Sequence, residues 1–153
     1  MPIISEELII DAPIEVVWEI LTDFSHYQTW NPMVRNIVLE GGLQAGSKVT
    51  LHALMKPGGE PTPVGAVLME VRAPHVLSWR GGVGPEWFAR GYHFHQLESL
   101  SGGRTRLTHG EKFSGVLFAL IWPLQRKAME RSYKEISAAL EQRCSVVSSC
   151  SSA

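Results

Sequence analysis

Apolar positions recur three and four residues apart along the last third of the chain, from Gly115 to about Arg143. Val116, Leu117, Leu120, Ile121, Leu124, Ala128, Ser132, Ile136, Ala139 and Leu140 fall on one side of a helix, and most of the charged residues fall on the other. At about 1.5 Å per residue such a helix is roughly 40 Å long, enough to cross a small domain. Pro123 removes one backbone donor and is expected to bend it. Its expected inner face carries the small residues Ala128, Ser132 and Ala139. Small residues there would leave a cavity between helix and sheet.

The earlier pattern is different. Residues 3–11 alternate as a strand, with Ile4, Leu8 and Ile10 on one face. A helix over 13–22 turns Ile14, Val17, Trp18 and Leu21 inward, with Asp11 as its cap and Pro13 in its first turn. A second short helix or turn covers Phe24 to Trp30, and Asn31-Pro32 ends it. Strands are then predicted over 34–39, 48–55, 64–72, 76–80, 87–100 and 104–113, joined by turns rich in Gly and Pro. Gly81 to Pro85 is read as a loop beside a pocket mouth. The expected fold class is α+β: a curved antiparallel sheet of about six to seven strands around a long C-terminal helix, with two short helices after the first strand. Residues 1–143 form one domain in this reading, and 144–153 form a disordered Ser-rich tail.

The last two strands can be put in register from their turn, centred on Gly102. Leu97 then faces Leu107, His95 faces His109, His93 faces Glu111 and Gly91 faces Phe113. The apolar members mark the inner face. The two-residue period therefore places His93, His95, His109 and Glu111 on that face as well. Tyr92, Phe94, Gln96, Arg106, Thr108 and Lys112 fall on the outer face.

Bulk properties narrow the function. The chain has 153 residues with 44% hydrophobic and 19% charged residues, the profile of one folded domain. A net charge of -1 gives no reason to expect nucleic acid as a partner. No apolar run approaches the roughly 20 residues that span a bilayer, and the N-terminus lacks a signal-peptide pattern. A cytoplasmic location is expected. Cys144 and Cys150 both lie in the tail, as free thiols in a reducing compartment. Cys150, fourth from the end, fits a prenylation frame only loosely, because Ser151 and Ser152 are not aliphatic. There is no phosphate-binding glycine loop and no G-x-S-x-G elbow.

Four segments carry a family resemblance: IDAPIEVVWEILTDFSHYQTWNP (10–32), LSWRGG (77–82), GYHFHQLE (91–98) and GGRTRLTHGEKFSG (102–115). Together they resemble the START/Bet v-type helix-grip superfamily, SRPBCC, in its polyketide cyclase/dehydrase-like part. The resemblance implies a sheet curled around the C-terminal helix, a hydrophobic or amphipathic small molecule between them, and no cofactor or metal. Ligand contacts expected from these faces are Trp79 on the strand beside the hairpin, Trp87 and Phe88 near the mouth, Leu97, Leu107 and Phe113 on the hairpin, and Leu124 and Ala128 on the helix. Three readings of His93, His95, His109 and Glu111 stay open. They can satisfy one another as a buried network. They can orient a ligand or move a proton, as a cofactor-independent cyclase, dehydratase or isomerase would require. They also offer nitrogen and oxygen donors of the kinds that bind metals. Binding of a lipid-like or polyketide-like molecule is the first functional expectation, such an enzyme the second, and a protein-interaction module of the chaperone co-activator kind the third.

Overall fold

The computed structural model describes residues 1–151. Strand β1 (Ile3–Ile10) leads into helix α1 (Ile14–Thr22) and a 3₁₀ helix (Phe24–Thr29). Strands β2 (Val34–Glu40), β3 (Lys48–Leu54), β4 (Pro61–Arg72), β5 (Val76–Val83), β6 (Ala89–Leu100) and β7 (Arg104–Ser114) follow, and helix α2 (Val116–Ser151) closes the chain. The seven strands form one antiparallel sheet in the order β1-β7-β6-β5-β4-β3-β2. Only β1 is out of sequence order: it pairs with β7 and sets Ile4 opposite Glu111 and Leu8 opposite Leu107.

The β6–β7 register is the one the turn dictates. His93 pairs with Glu111, His95 with His109 and Leu97 with Leu107. Gly102 and Gly103 hold positive φ at that turn, a conformation open to glycine at little cost. At the other end of the sheet, Asn31 Oδ1 accepts from the N–H groups of Met33 and Val34, fixing the start of β2. Helix α1 begins at a Pro13 N-cap with no side-chain cap, so Asp11 does not take the capping role expected of it. The Thr105 hydroxyl instead ties Ala12 to β7 through its carbonyl at 2.8 Å.

Beneath α1 and the C-terminal part of α2 lies the main core, built on Ile10, Val17, Leu21, Leu68, Leu77 and Leu107. Fully burying a side chain of this size contributes about 1.5–3 kcal/mol. A smaller second cluster joins Ile4, Phe113 and Tyr133, with Phe118, Trp122 and Met129 packed against it half-buried.

Helix α2 departs from expectation in three ways. It is longer, 36 residues and so about 54 Å, and it runs through the stretch read as a disordered tail as far as Ser151. Residues 152–153 of that tail lie outside the described residues. Cys144 is fully buried beside Leu140 in the main core, and Cys150 is exposed. Leu140, Cys144 and Val147 continue one face at helical spacing, and the serines of the tail lie between them. Second, Ile136 and Leu140 are buried as inferred, but the first half of the inner face is turned from the one inferred. Phe118, Trp122, Met129, Tyr133, Ser137, Leu140 and Cys144 point to the sheet side. Leu120 and Leu124 are 71% and 83% exposed, and Ala128 is exposed too. Leu124 and Ala128 are therefore not placed to touch a guest under the sheet. Third, Tyr133 and Ser137 fill the space that the small residues were expected to leave open.

The start of α2 is fixed by the β5–β6 loop. Trp87 O accepts the Val116 N–H at 3.1 Å and Phe88 O accepts that of Leu117 at 3.0 Å, satisfying two helix donors that have no partner in the helix itself. Gly115 stands at φ +103°, where a Cβ would collide with the Phe88 backbone. Gly81 and Gly82, read as loop, belong to β5. At Gly81 a side chain would meet Ala66 Cβ and Gly65 O, both at 2.7 Å.

Burial pushes the Cys144 thiol up to about 12, and a thiol reacts through its thiolate. In native protein we expect a thiol reagent to label one cysteine rapidly, Cys150, and the second only on denaturation. Two rapid equivalents would contradict the helical C-terminus.

Candidate functional site

Alternation along β6 and β7 brings His93, His95, His109 and Glu111 to the concave face, and the neighbouring β5 adds Trp79 opposite His93. Helix α2 lays Tyr133 and Ser137, one turn apart, over them. The four residues expected from the hairpin register do come together.

The ring nitrogens meet at close range. His109 Nε2 lies 3.0 Å from His93 Nε2, which lies 3.4 Å from His95 Nε2. The other nitrogens face outward from this centre. His109 Nδ1 meets Ser137 Oγ at 3.1 Å. His93 Nδ1 meets Tyr133 Oη at 3.3 Å and Glu111 Oε2 at 3.5 Å, and the Tyr133 hydroxyl donates to the same carboxyl oxygen. Among the described residues, His95 Nδ1 is buried with no hydrogen-bond partner. Trp79 stacks on His93 with ring centres 4.5 Å apart and planes 3° from parallel, and His95 stacks on His109 at 4.6 Å.

Electrostatics follow from burial. His95 and His109 are 3% and 1% exposed, while the His93 and Glu111 side chains keep 13% and 21% of their surface. Removal from water disfavours charge. It lowers His93 to about 3, holds His95 and His109 well below the usual imidazole range, and raises Glu111 to about 8. The neighbouring imidazoles push His95 and His109 further the same way. Near neutral pH the group is a set of uncharged rings beside a protonated carboxyl. A hydrogen-bonded path runs from Ser137 through His109 and His93 to Glu111 and Tyr133. Its Glu111 end is the more exposed. Chemically, it can present hydrogen-bond donors and acceptors to an oxygen of a guest, or pass a proton to it. The three histidines alone offer ring nitrogens within 4.8 Å of one another, a donor set that also suits a cation.

Gly91 makes this arrangement possible. A Cβ there would lie 2.9 Å from the Glu111 carboxyl carbon and closer still to one of its oxygens.

The remaining expected contacts divide. Trp79, Leu97, Leu107 and Phe113 are buried on the concave face. Trp87 is 65% exposed on the β5–β6 loop, and Phe88 beside it is half-buried. Away from the cluster, His26 pairs with Asp23 and His75 with the Leu97 carbonyl. The reading of the chain did not include Tyr133 and Ser137. They lie four residues apart and in phase with Met129, Leu140 and Cys144, and a helix face drawn through those residues would have found them. A groove of about 360 Å³ lies elsewhere, mostly on the outer face of the sheet. Its walls include Lys48, Thr50, Val67, Arg80 and Arg90, and both arginines already pair with Glu86.

Comparison with known proteins agrees with this architecture. A family model described as polyketide cyclase / dehydrase and lipid transport matches residues 1–145. No curated protein matches the chain. Among solved structures, a hypothetical protein from Helicobacter pylori superposes with TM-score 0.75 at 21% identity, over 94% of this chain and 88% of that one. A START superfamily protein from Mycobacterium smegmatis gives 0.75 at 16%, over 95% and 98%. The ZhuI aromatase/cyclase from a Streptomyces species gives 0.74 at 16%, over 94% and 93%. At such identities the likeness carries the fold.

Gly91→Ala should destabilise the protein by about 1–3 kcal/mol in urea unfolding, through the displaced Glu111 carboxyl. Gly65→Ala, where a Cβ meets nothing within 4 Å, should leave stability equal or higher. Equal behaviour of the two variants would contradict the packing of Glu111 over Gly91.

Proposed function

The chain belongs to the polyketide cyclase/dehydrase and lipid transport family, and from that premise we propose that it binds a hydrophobic or amphipathic small molecule between the sheet and the first half of α2. One observation carries the reading. The polar group on the concave face keeps its residual exposure at His93 and Glu111. On either side stand apolar walls, Trp79 on one and the Phe113, Trp122 and Met129 cluster on the other. Apolar walls with a few convergent polar groups are the usual form of a small-molecule site.

The guest enters by parting α2 from the sheet at this end. Phe118, Trp122 and Met129 are only half-buried there, and Val116, Leu120 and Leu124 add little packing because they point outward. Separation here costs less apolar burial than separation over the main core. The tail of the guest replaces the half-buried aromatic contacts, and its oxygen meets Glu111, His93 and Tyr133.

The hydrogen-bonded path favours a second reading, proton transfer to a bound polyketide-like carbonyl or hydroxyl. The space opened between α2 and the sheet would hold the flexible substrate in a reactive shape.

Native mass spectrometry of freshly purified protein, followed by uptake of a panel of fatty acids and aromatic polyketides, tests the proposal. We expect one guest per chain. Tyr133→Phe and Glu111→Gln should weaken binding about 3- to 10-fold, the loss of a hydrogen bond worth about 1 kcal/mol. No retained or absorbed guest, in protein shown to be folded, would contradict it. Turnover of a bound compound that Glu111→Gln abolishes while binding persists would establish the second reading.

A further inference from the structure

Three neutral imidazoles carry three N–H groups and three bare nitrogens among them. The structure uses them in an odd way. His93 Nδ1 and His109 Nδ1 face oxygen atoms, Glu111 Oε2 and Ser137 Oγ. If both rings donate to these oxygens, their Nε2 atoms are both bare, and these are the atoms that confront each other at 3.0 Å. His95 Nε2 points into the same centre from 3.4 Å, and its Nδ1 finds no partner. A tautomer shift in which the Ser137 hydroxyl or the Glu111 carboxyl donates to its ring relieves one of these contacts and leaves the third nitrogen without a bridging proton. A cation at the centre would use all three lone pairs together.

We propose that His93, His95 and His109 form a three-imidazole site for a divalent transition-metal cation of the zinc or cobalt type. The geometry supports it in two respects. Zinc–nitrogen bonds of about 2.0–2.1 Å in tetrahedral array set the ligand atoms about 3.3–3.4 Å apart. Two of the three nitrogen pairs stand at 3.0 and 3.4 Å, and all the donor atoms lie within 4.8 Å of one another; the stacked His95 and His109 rings have to turn out of their parallel arrangement for both to point a lone pair at one ion. Second, ligating histidines commonly give their other N–H to a carboxylate or another oxygen, which fixes tautomer and ring plane. Oxygen atoms stand where that role needs them, Tyr133 Oη and Glu111 Oε2 at 3.3 and 3.5 Å from His93 Nδ1 and Ser137 Oγ at 3.1 Å from His109 Nδ1. Trp79, flat against His93, limits how far that ring can turn. Three protein ligands leave a position for water or for an oxygen of a guest. The donor set is all nitrogen, which excludes calcium and magnesium as natural occupants.

This inference stands apart from the binding reading. Uptake of fatty acid by chelator-treated protein tests that reading, and metal titration tests this one. The full chain, freed of metal by a chelator, is titrated with Co(II) and then Zn(II), following the visible ligand-field bands of cobalt and the thermal midpoint. We expect one equivalent, bands of a four- or five-coordinate nitrogen site, displacement by Zn(II) and a raised midpoint. His109→Gln should lower affinity by more than 100-fold. Ser137→Ala should lower it about 10- to 100-fold through the unsupported ring, and decides the matter if His109→Gln does not fold. His26→Gln with His75→Gln should leave affinity unchanged. The proposal is overturned if the folded wild type takes up no stoichiometric cobalt or zinc at micromolar concentrations. Equal affinity in Ser137→Ala, or a thiolate-to-cobalt charge-transfer band marking a cysteine site, would overturn it too.

Discussion

Burying a polar side chain is costly unless another group satisfies it, and this fold buries a whole cluster of them at its centre. Three imidazoles and a carboxyl stand on one face of β6 and β7, where a helix must cover them. Tyr133 and Ser137 are the groups α2 supplies to meet that demand. An apolar helix face in their place would remove the Tyr133–Glu111 and Ser137–His109 hydrogen bonds, a penalty of about 1–3 kcal/mol each. The orientation of α2 about its own axis follows from this requirement as much as from its apolar residues.

That orientation sets the rest of the architecture. With Tyr133 and Ser137 inward, Leu140 and Cys144 reach the main core and carry the helix to Ser151. Toward the N-terminus the same face brings Phe118, Trp122 and Met129 over Phe113, while Leu120 and Leu124 turn outward. The helix is firmly packed at one end and lightly packed at the other, with the polar cluster between. The β5–β6 loop anchors the light end by its backbone, through Trp87 and Phe88. Packing, access and chemistry thus meet at Glu111.

How much of this the sequence disclosed depended on local constraint. The hairpin was legible because a tight glycine turn fixes the pairing and the two-residue period does the rest, so His93, His95, His109 and Glu111 could be grouped from their numbers alone. Trp79 followed from the adjacent strand. The helix face was not legible. Its first turns are apolar on nearly every side, from Val116 to Leu124, so periodicity there admits more than one face. Tyr133 and Ser137, polar in type, carry no apolar signal that marks them as inward, although the cluster beneath needs them. The serine-rich end was misread for a related reason: composition outweighed the spacing of Leu140, Cys144 and Val147, which continues the buried stripe. The cavity expectation rested on Ala128, Ser132 and Ala139 lying inward; Ala128 is exposed, and Tyr133 and Ser137 stand over the cluster instead. In each case tertiary demand, rather than local propensity, decided the outcome.

The link between α2 and the buried carboxyl is open to direct measurement by a double-mutant cycle in urea unfolding, combining Tyr133→Phe with Glu111→Leu. With the helix held as described, the two changes should couple by about 1–3 kcal/mol, because each removes the other's partner. Additivity within about 0.5 kcal/mol would mean that Tyr133 does not serve Glu111, and would contradict the placement of α2 over the cluster.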